Sequence, residues 1–332
     1  MIAWQIRRPG PIDSRPLDLV EVEVPEPGPH EVRIKVSACG VCRTDLHLAE
    51  GDLRSSRGDV IPGHEVVGTV DALGPGAVRF PAGKRVGIAW LGHTCGHCRF
   101  CRAGRENLCL RPRFTGWDLD GGYAQYAVAH EDYVYDLPEQ FDDERAAPLL
   151  CAGIIGYRAL RRCELPPGGS LGIYGFGGSA HLTCQIAIAQ GARVHVFTRS
   201  RASQELALNL GASTAALAKD GPPEPLDAAI LFAPAGELVG TALKGLDRGG
   251  TLAIAGIHLS PFGPLGLSEH LYYERRLISV TANTRNDGEE FLRIAARIGI
   301  KVSTETFPLE QADLALSALA NGRVTGAAVL RP

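Results

Sequence analysis

The chain has 332 residues, 34 Lys and Arg against 37 Asp and Glu, and a formal net charge of -3. That balance gives no basic footprint for nucleic acid, and no run of eighteen apolar residues is present to span a bilayer. The length is too great for one ordinary core, so two domains are expected. Met1 to Pro9 lacks the apolar stretch of a signal peptide, which makes the cytoplasm the expected compartment.

In chain order, Leu17 to Val24 and Glu31 to Ser37 alternate apolar and polar on either side of Pro25-Glu26-Pro27-Gly28-Pro29, predicting two strands and a turn. Val66 to Leu73, Arg85 to Trp90 and Tyr123 to Ala129 continue in that style, so the first 150 residues read as a mainly β domain. After Pro148 the rhythm changes. Ala152 to Cys163 has helical spacing, and strand then alternates with helix: Ser170 to Tyr174, Ala180 to Gln190, Arg193 to Phe197, Ala202 to Leu210, Ala228 to Phe232, Leu238 to Leu246 and Thr251 to Ala255. This predicts an α/β domain with a doubly wound parallel sheet. A helix over Gly288 to Ile298 and a strand-like end at Ala327 to Leu330 complete the chain.

Four of the nine cysteines, Cys95, Cys98, Cys101 and Cys109, fall in fifteen residues with the spacing C-x2-C-x2-C-x7-C. Reduced thiols so clustered point to metal rather than disulfides. Four thiolates fill a tetrahedral zinc shell and leave no position for substrate, which makes the site structural. The run lacks the Cys-Pro ending of bacterial iron-sulfur ligands, and His97 within it is expected to be exposed.

Gly175-Phe176-Gly177-Gly178-Ser179-Ala180 follows one predicted strand and opens the next helix, the context in which G-x-G-x-x-[GA] binds a dinucleotide pyrophosphate. An NAD site expects an acid about twenty residues on, to hold the ribose hydroxyls. Here the second strand ends in Thr198, Arg199 and Ser200, and no acid comes before Glu205. Two hydroxyls and a guanidinium suit a 2′-phosphate, so NADP(H) is favoured over NAD(H), which stays possible.

Further sulfur and imidazole flank the cysteine cluster: Cys39 and Cys42, then His64 and Glu65, then Cys151. Sulfur, imidazole and sulfur form a three-ligand zinc site with an open fourth position, the arrangement of catalytic zinc. With Gly40-Val41-Cys42-Arg43-Thr44-Asp45-Leu46-His47, Gly63-His64-Glu65, the four-cysteine loop, Asp120-Gly121-Gly122-Tyr123-Ala124, Cys151-Ala152-Gly153, the glycine fingerprint and Thr284-Arg285 in one order, the chain resembles zinc-dependent alcohol dehydrogenases of the medium-chain dehydrogenase/reductase superfamily.

That resemblance implies a GroES-like catalytic domain from residues 1–149 and 285–332, carrying a structural-zinc loop over 93–110, and a Rossmann domain over 150–284. It implies two Zn2+ per subunit, the catalytic one held by Cys42, His64 and Cys151 with Glu65 as an occasional fourth ligand. Asp45 would fix the ring of His64, Thr44 would hand on the alcohol proton, and His47 would pass it to water. Arg43 and Arg285 would contact the pyrophosphate, with Asn283 beside them at the cofactor, and Cys39 would be a buried bystander. The zinc would ease loss of the alcohol proton before hydride leaves for the nicotinamide, or polarise the carbonyl in reverse. A homodimer or homotetramer acting on a small alcohol or aldehyde is implied, with no nucleic-acid or membrane partner. The chain departs from the family pattern at Ile154-Ile155-Gly156, at Ser179-Ala180-His181, and at Leu53, where the yeast enzyme has a second Trp beside the position of Trp90. Two alternatives stand beside this reading: a zinc-free quinone or enone reductase of the same superfamily, which would lack the ligand trio and cysteine loop, and a zinc-stabilised sensor without turnover, which would not need Thr44 and His47.

Overall fold

The computed structural model describes residues 1–53 and 57–332. It divides into two compact units: Met1–Cys151 with Ala282–Arg293 and Val302–Pro332, and Ala152–Thr281 with Ile294–Lys301.

The first unit is built on the eleven-residue strand Glu31–Val41, whose buried Val32, Ile34 and Val36 alternate with more exposed neighbours. It pairs antiparallel with Val66–Leu73, Tyr126–His130 and, at its far end, Ala327–Arg331, so the last strand of the chain closes a sheet begun by the first hundred residues. Register shifts after Arg33 and Val36 bend the strand. Arg85–Ile88, Val134–Asp136 and Thr304–Pro308 complete the sheet. Leu17–Glu21 does not pair with the strand that follows it. Leu17–Glu21 pairs with Ile2–Ile6 instead, because the Pro-rich segment after Val24 carries the chain away without a tight turn.

The second unit holds a six-stranded sheet in the order Thr214–Ala216, Arg193–Phe197, Ser170–Tyr174, Leu226–Leu231, Leu246–Ile254 and Arg276–Ser279, every pair parallel. Numbered along the chain this is 3-2-1-4-5-6, the Rossmann order, and its crevice opens where the order reverses beside Ser170–Tyr174. All five residues of Ser170–Tyr174 are buried, as a strand covered by helices on both faces must be.

Candidate active site

Strand Glu31–Val41 delivers Cys42 as the N-cap of helix Arg43–Glu50. Within the first unit Cys42, His64, Glu65 and Cys151 converge, with one ligand atom of each inside a 4.8 Å cluster. Cys42 Sγ lies 3.9 Å from Cys151 Sγ, and His64 Nε2 lies 3.3 Å from Cys151 Sγ. Two sulfurs on a tetrahedral zinc with bonds of about 2.3 Å sit roughly 3.8 Å apart. The donor set and spacing therefore fit zinc.

Asp45, fully buried, organises this cluster. Its Oδ1 accepts from His64 Nδ1 at 3.1 Å and from the Gly63 N–H at 3.2 Å, while Oδ2 accepts from the Cys42 N–H at 2.9 Å and from the Tyr123 hydroxyl at 3.2 Å. With Nδ1–H donated to Asp45, Nε2 keeps its lone pair for the cluster. Burial opposes charge on the His64 ring, but the Asp45 carboxylate and Cys42 outweigh it and raise its pKa. The hydrogen bond from Cys151 holds Cys42 well below the ordinary thiol range; the same bond, with burial, lifts Cys151. Glu65 is packed so close that a Cβ on Gly40 would lie 1.8 Å from its Oε2, which is why position 40 carries no side chain.

Thr44 is buried and its hydroxyl oxygen lies 3.7 Å from the Cys42 thiol; His47 Nδ1 lies 2.9 Å from Asp52 Oδ2. Arg43 is exposed at the helix start. One wall was not read from the sequence beyond Trp90. The Trp90 ring meets His64 edge-on at 4.9 Å and lies nearly parallel to Phe114 and Trp117, at 4.9 and 5.7 Å. Short strand pairing of Leu91 with Phe114 brings these rings together, a non-local contact that motif spacing does not encode.

The second thiol cluster, Cys95, Cys98, Cys101 and Cys109, lies in the same unit. Its Sγ atoms are 3.5 Å (Cys98–Cys101), 3.5 Å (Cys109–Cys95) and 4.0 Å (Cys95–Cys101) apart, again the edges of a tetrahedral shell. Backbone N–H groups aim at the sulfurs: those of Cys101 and Leu110 bring the Cys98 thiol down to about 6. His97 is exposed and engages the Cys95 carbonyl and Arg111.

In the second unit Gly175 takes φ 87°, and a Cβ there would lie 2.7 Å from the Ala233 nitrogen; the turn that ends the strand needs glycine. Gly177 caps helix Gly178–Ala189, with Phe176 and Ala180 buried and Ser179 in the first turn. Strand Arg193–Phe197 ends in Thr198, exposed Arg199 and Ser200, whose hydroxyl accepts from the Ser203 N–H and caps helix Arg201–Asn209. Asn283 belongs to the first unit, buried, donating to Tyr135 Oη and the Thr284 carbonyl. Arg285 there is bound to Glu106, a residue the sequence reading did not single out.

A parallel nucleotide-type sheet and two zinc-shaped donor sets define a zinc-site dehydrogenase class. Residues 28–139 match the family described as "Alcohol dehydrogenase GroES-like domain". The chain is 58% identical over 99% of its length to a Mycobacterium tuberculosis (strain CDC 1551 / Oshkosh) protein described as "Probable alcohol dehydrogenase AdhA", covering 97% of it, and 35% identical over 96% to an alcohol dehydrogenase of Geobacillus stearothermophilus, covering 97%. Among solved structures, an NAD-dependent alcohol dehydrogenase superposes with TM-score 0.92 at 26% identity, each chain fully covered. The Helicobacter pylori CAD complexed with NADP(H) gives 0.90 at 26%, covering 99% of this chain and 97% of that one. The chain belongs to the zinc-dependent alcohol dehydrogenases of the medium-chain dehydrogenase/reductase superfamily, and it is an oxidoreductase acting on small-molecule alcohols.

Proposed function

We propose that the enzyme interconverts primary or secondary alcohols and their carbonyl partners with NADP(H) favoured over NAD(H), using zinc at Cys42, His64 and Cys151 with Glu65 beside it, and a structural zinc at the four-cysteine loop. The observation that carries this reading is the imidazole aimed by Asp45 between two thiols 3.9 Å apart. Zinc there, when bound, supplies Lewis acidity to the substrate oxygen. The chain's own groups do the rest. Asp45 holds the His64 tautomer; the Thr44 hydroxyl takes the alcohol proton as it gives its own to the cofactor ribose, and His47, paired with Asp52, passes a proton on to water. Trp90, Phe114 and Trp117 keep the site apolar, and Leu53 leaves it wider than ethanol requires.

Cofactor preference rests on the end of strand Arg193–Phe197. Arg199 is exposed and has no hydrogen bond among the described residues, so its guanidinium is available to a 2′-phosphate, while Thr198 and Ser200 flank it. The fingerprint from Gly175 to Ala180 is proposed to take the pyrophosphate, and Arg43, Asn283 and Arg285 are proposed as further cofactor-binding residues. Residues 1–149 and 285–332 are read as the catalytic domain and 150–284 as the dinucleotide domain. The open edge strand Arg276–Ser279, with exposed Leu267 and Tyr272 in the preceding segment, supports a homodimer or homotetramer, and the cytoplasm is the proposed location.

The test is the initial rate of aldehyde reduction on an aliphatic and aromatic panel with NADPH and then NADH, with bound zinc counted by plasma emission. An NADPH preference of at least tenfold in kcat/KM and two zinc per chain are expected. An NADH preference would overturn the role of Thr198, Arg199 and Ser200; no turnover in zinc-loaded protein would favour the sensor reading.

A further inference from the structure

In a chain of net charge -3, residues 95 to 113 carry five arginines, Arg99, Arg102, Arg105, Arg111 and Arg113, no lysine, and one acid, Glu106. All five arginines are exposed and none forms an ion pair among the described residues, while Glu106 is paired with Arg285. Two of the guanidiniums are held against one ring, Arg99 Cζ at 4.6 Å and Arg105 Cζ at 5.9 Å from the Phe100 centroid, and Arg111 Nη2 lies 3.0 Å from His97 Nε2. These charges do not serve the sulfurs directly. The donors aimed at the thiols are backbone N–H groups, those of Cys95 and Arg111 to Cys109 and those of Cys101 and Leu110 to Cys98. Beside the arginines Leu110 is 66% exposed. Arginine with apolar and aromatic side chains, and without lysine, is the composition of a protein interface, and a guanidinium already held by a ring loses less freedom on docking.

The same unit carries a surface of opposite character. Between Arg15 and Arg33 the chain has five acids and no lysine or arginine. Glu26 is paired with Arg33 and Glu31 accepts from the Gly28 N–H, but Asp18, Glu21 and Glu23 are exposed and form no ion pair among the described residues. They lie on or just after strand Leu17–Glu21, which pairs on one side only, with Ile2–Ile6. Leu19 and Val24 beside them are 45% and 39% exposed. Charge alone would guard an open edge against aggregation; two bare apolar side chains work against that purpose. We propose that the arginine lobe docks on this acidic edge of a second copy of the chain, guanidiniums on Asp18, Glu21 and Glu23 and Leu110 against Leu19 and Val24, a contact separate from the pairing of Rossmann sheet edges. Each copy carries both halves, so the contact either closes reciprocally across a two-fold axis or continues from copy to copy.

The test is sedimentation of the zinc-loaded full chain over a range of concentrations, for wild type, the lobe variant Arg102→Glu/Arg105→Glu and the edge variant Glu21→Arg/Glu23→Arg, with aldehyde reduction alongside. Each reversal sets like charges face to face, so association at this contact is expected to weaken about a hundredfold in either variant, with turnover retained. Mixed in equal amounts, the two variants should re-associate, because the acidic lobe of one fits the basic edge of the other and their unaltered halves also match. Wild-type association should weaken as salt rises from about 0.05 to about 0.5 M. A monomeric wild type, an unchanged mass in both variants, or a mixture that stays dissociated overturns the proposal. Should the lobe variant not fold, the edge variant stands on a different element, and Leu19→Glu adds a like test there: unchanged association in both overturns the proposal, and weakening in both supports it.

Discussion

Gly40 illustrates how tightly the cluster of Cys42, His64, Glu65 and Cys151 is assembled. Its N–H donates to the Glu65 carbonyl at 3.0 Å, and the place of a Cβ is filled by the Glu65 side chain, with Oε2, Cδ and Cβ all inside 3 Å. Gly40→Ala must push Glu65 aside, and Glu65 is the neighbour of His64. Bound zinc should fall from two per chain to one while the four-cysteine site keeps its ion; an unchanged count by metal analysis would show that the cluster tolerates the shift. Asp45→Asn is a milder probe of the same site. It keeps shape but loses the charge-assisted bond that sets the His64 tautomer, and such outer partners are worth about 10–100-fold in metal affinity. Competition with a chelator should register that loss at one of the two ions only. The members of the two donor clusters were legible from spacing and family order. Tyr123, Phe114 and Trp117 were not, because what matters in them is a hydroxyl reaching Asp45 from 78 residues away and rings stacked by a two-residue strand.

At the scale of elements, strand-like patterning located Val66–Leu73, the short run Ser170–Tyr174 and the alternating Arg193–Phe197 to the residue, since burial on one or both faces leaves a direct mark on composition. Helix Arg43–Glu50 was hidden because polar Arg43, Thr44, Asp45 and His47 occupy its first two turns. Helix Ala312–Ala320 was missed for the opposite reason, its Ala and Leu content leaving little contrast between faces. Edge strands of three or four residues, Thr214–Ala216 and Arg276–Ser279, carry too few positions for a period. The sheet edge also contains a testable ion cluster. Glu224 accepts from Arg193 Nε at 2.8 Å and Nη2 at 3.0 Å and lies 3.0 Å from His195 Nε2; these bonds, Arg193 first, bring its carboxyl down to about 2. A carboxylate whose folded pKa is depressed stabilises above its ordinary value near 4.5 and loses that contribution as pH falls toward 2. Because the pair is exposed, the contribution is modest. Melting temperature followed from pH 5 to 2.5 should fall less steeply in Glu224→Gln than in wild type, and parallel curves would show that the cluster adds nothing.

Across the whole molecule, both zinc-shaped sites belong to one compact unit and the Rossmann sheet to the other. Spacing and family resemblance divided the thiols between two clusters, but the linkage of Glu106 to Arg285 joins residues 179 apart and had no local signal. The division of labour predicts separable failures. Cys98→Ser opens the four-cysteine shell, and since structural zinc contributes directly to folding, the unit that contains it should melt earlier. The parallel sheet has its own buried core in Tyr174, Phe197, Leu231 and Leu252, so its transition should stay near the wild-type temperature. Scanning calorimetry of the variant is therefore expected to split into two transitions, with kcat per folded molecule retained. Cys42→Ser should do the reverse, keeping a melt close to wild type while turnover disappears, because the four-cysteine shell is intact and the open-position site has lost a thiolate. A single unshifted transition in Cys98→Ser would mean that the loop's zinc does not hold the catalytic unit together.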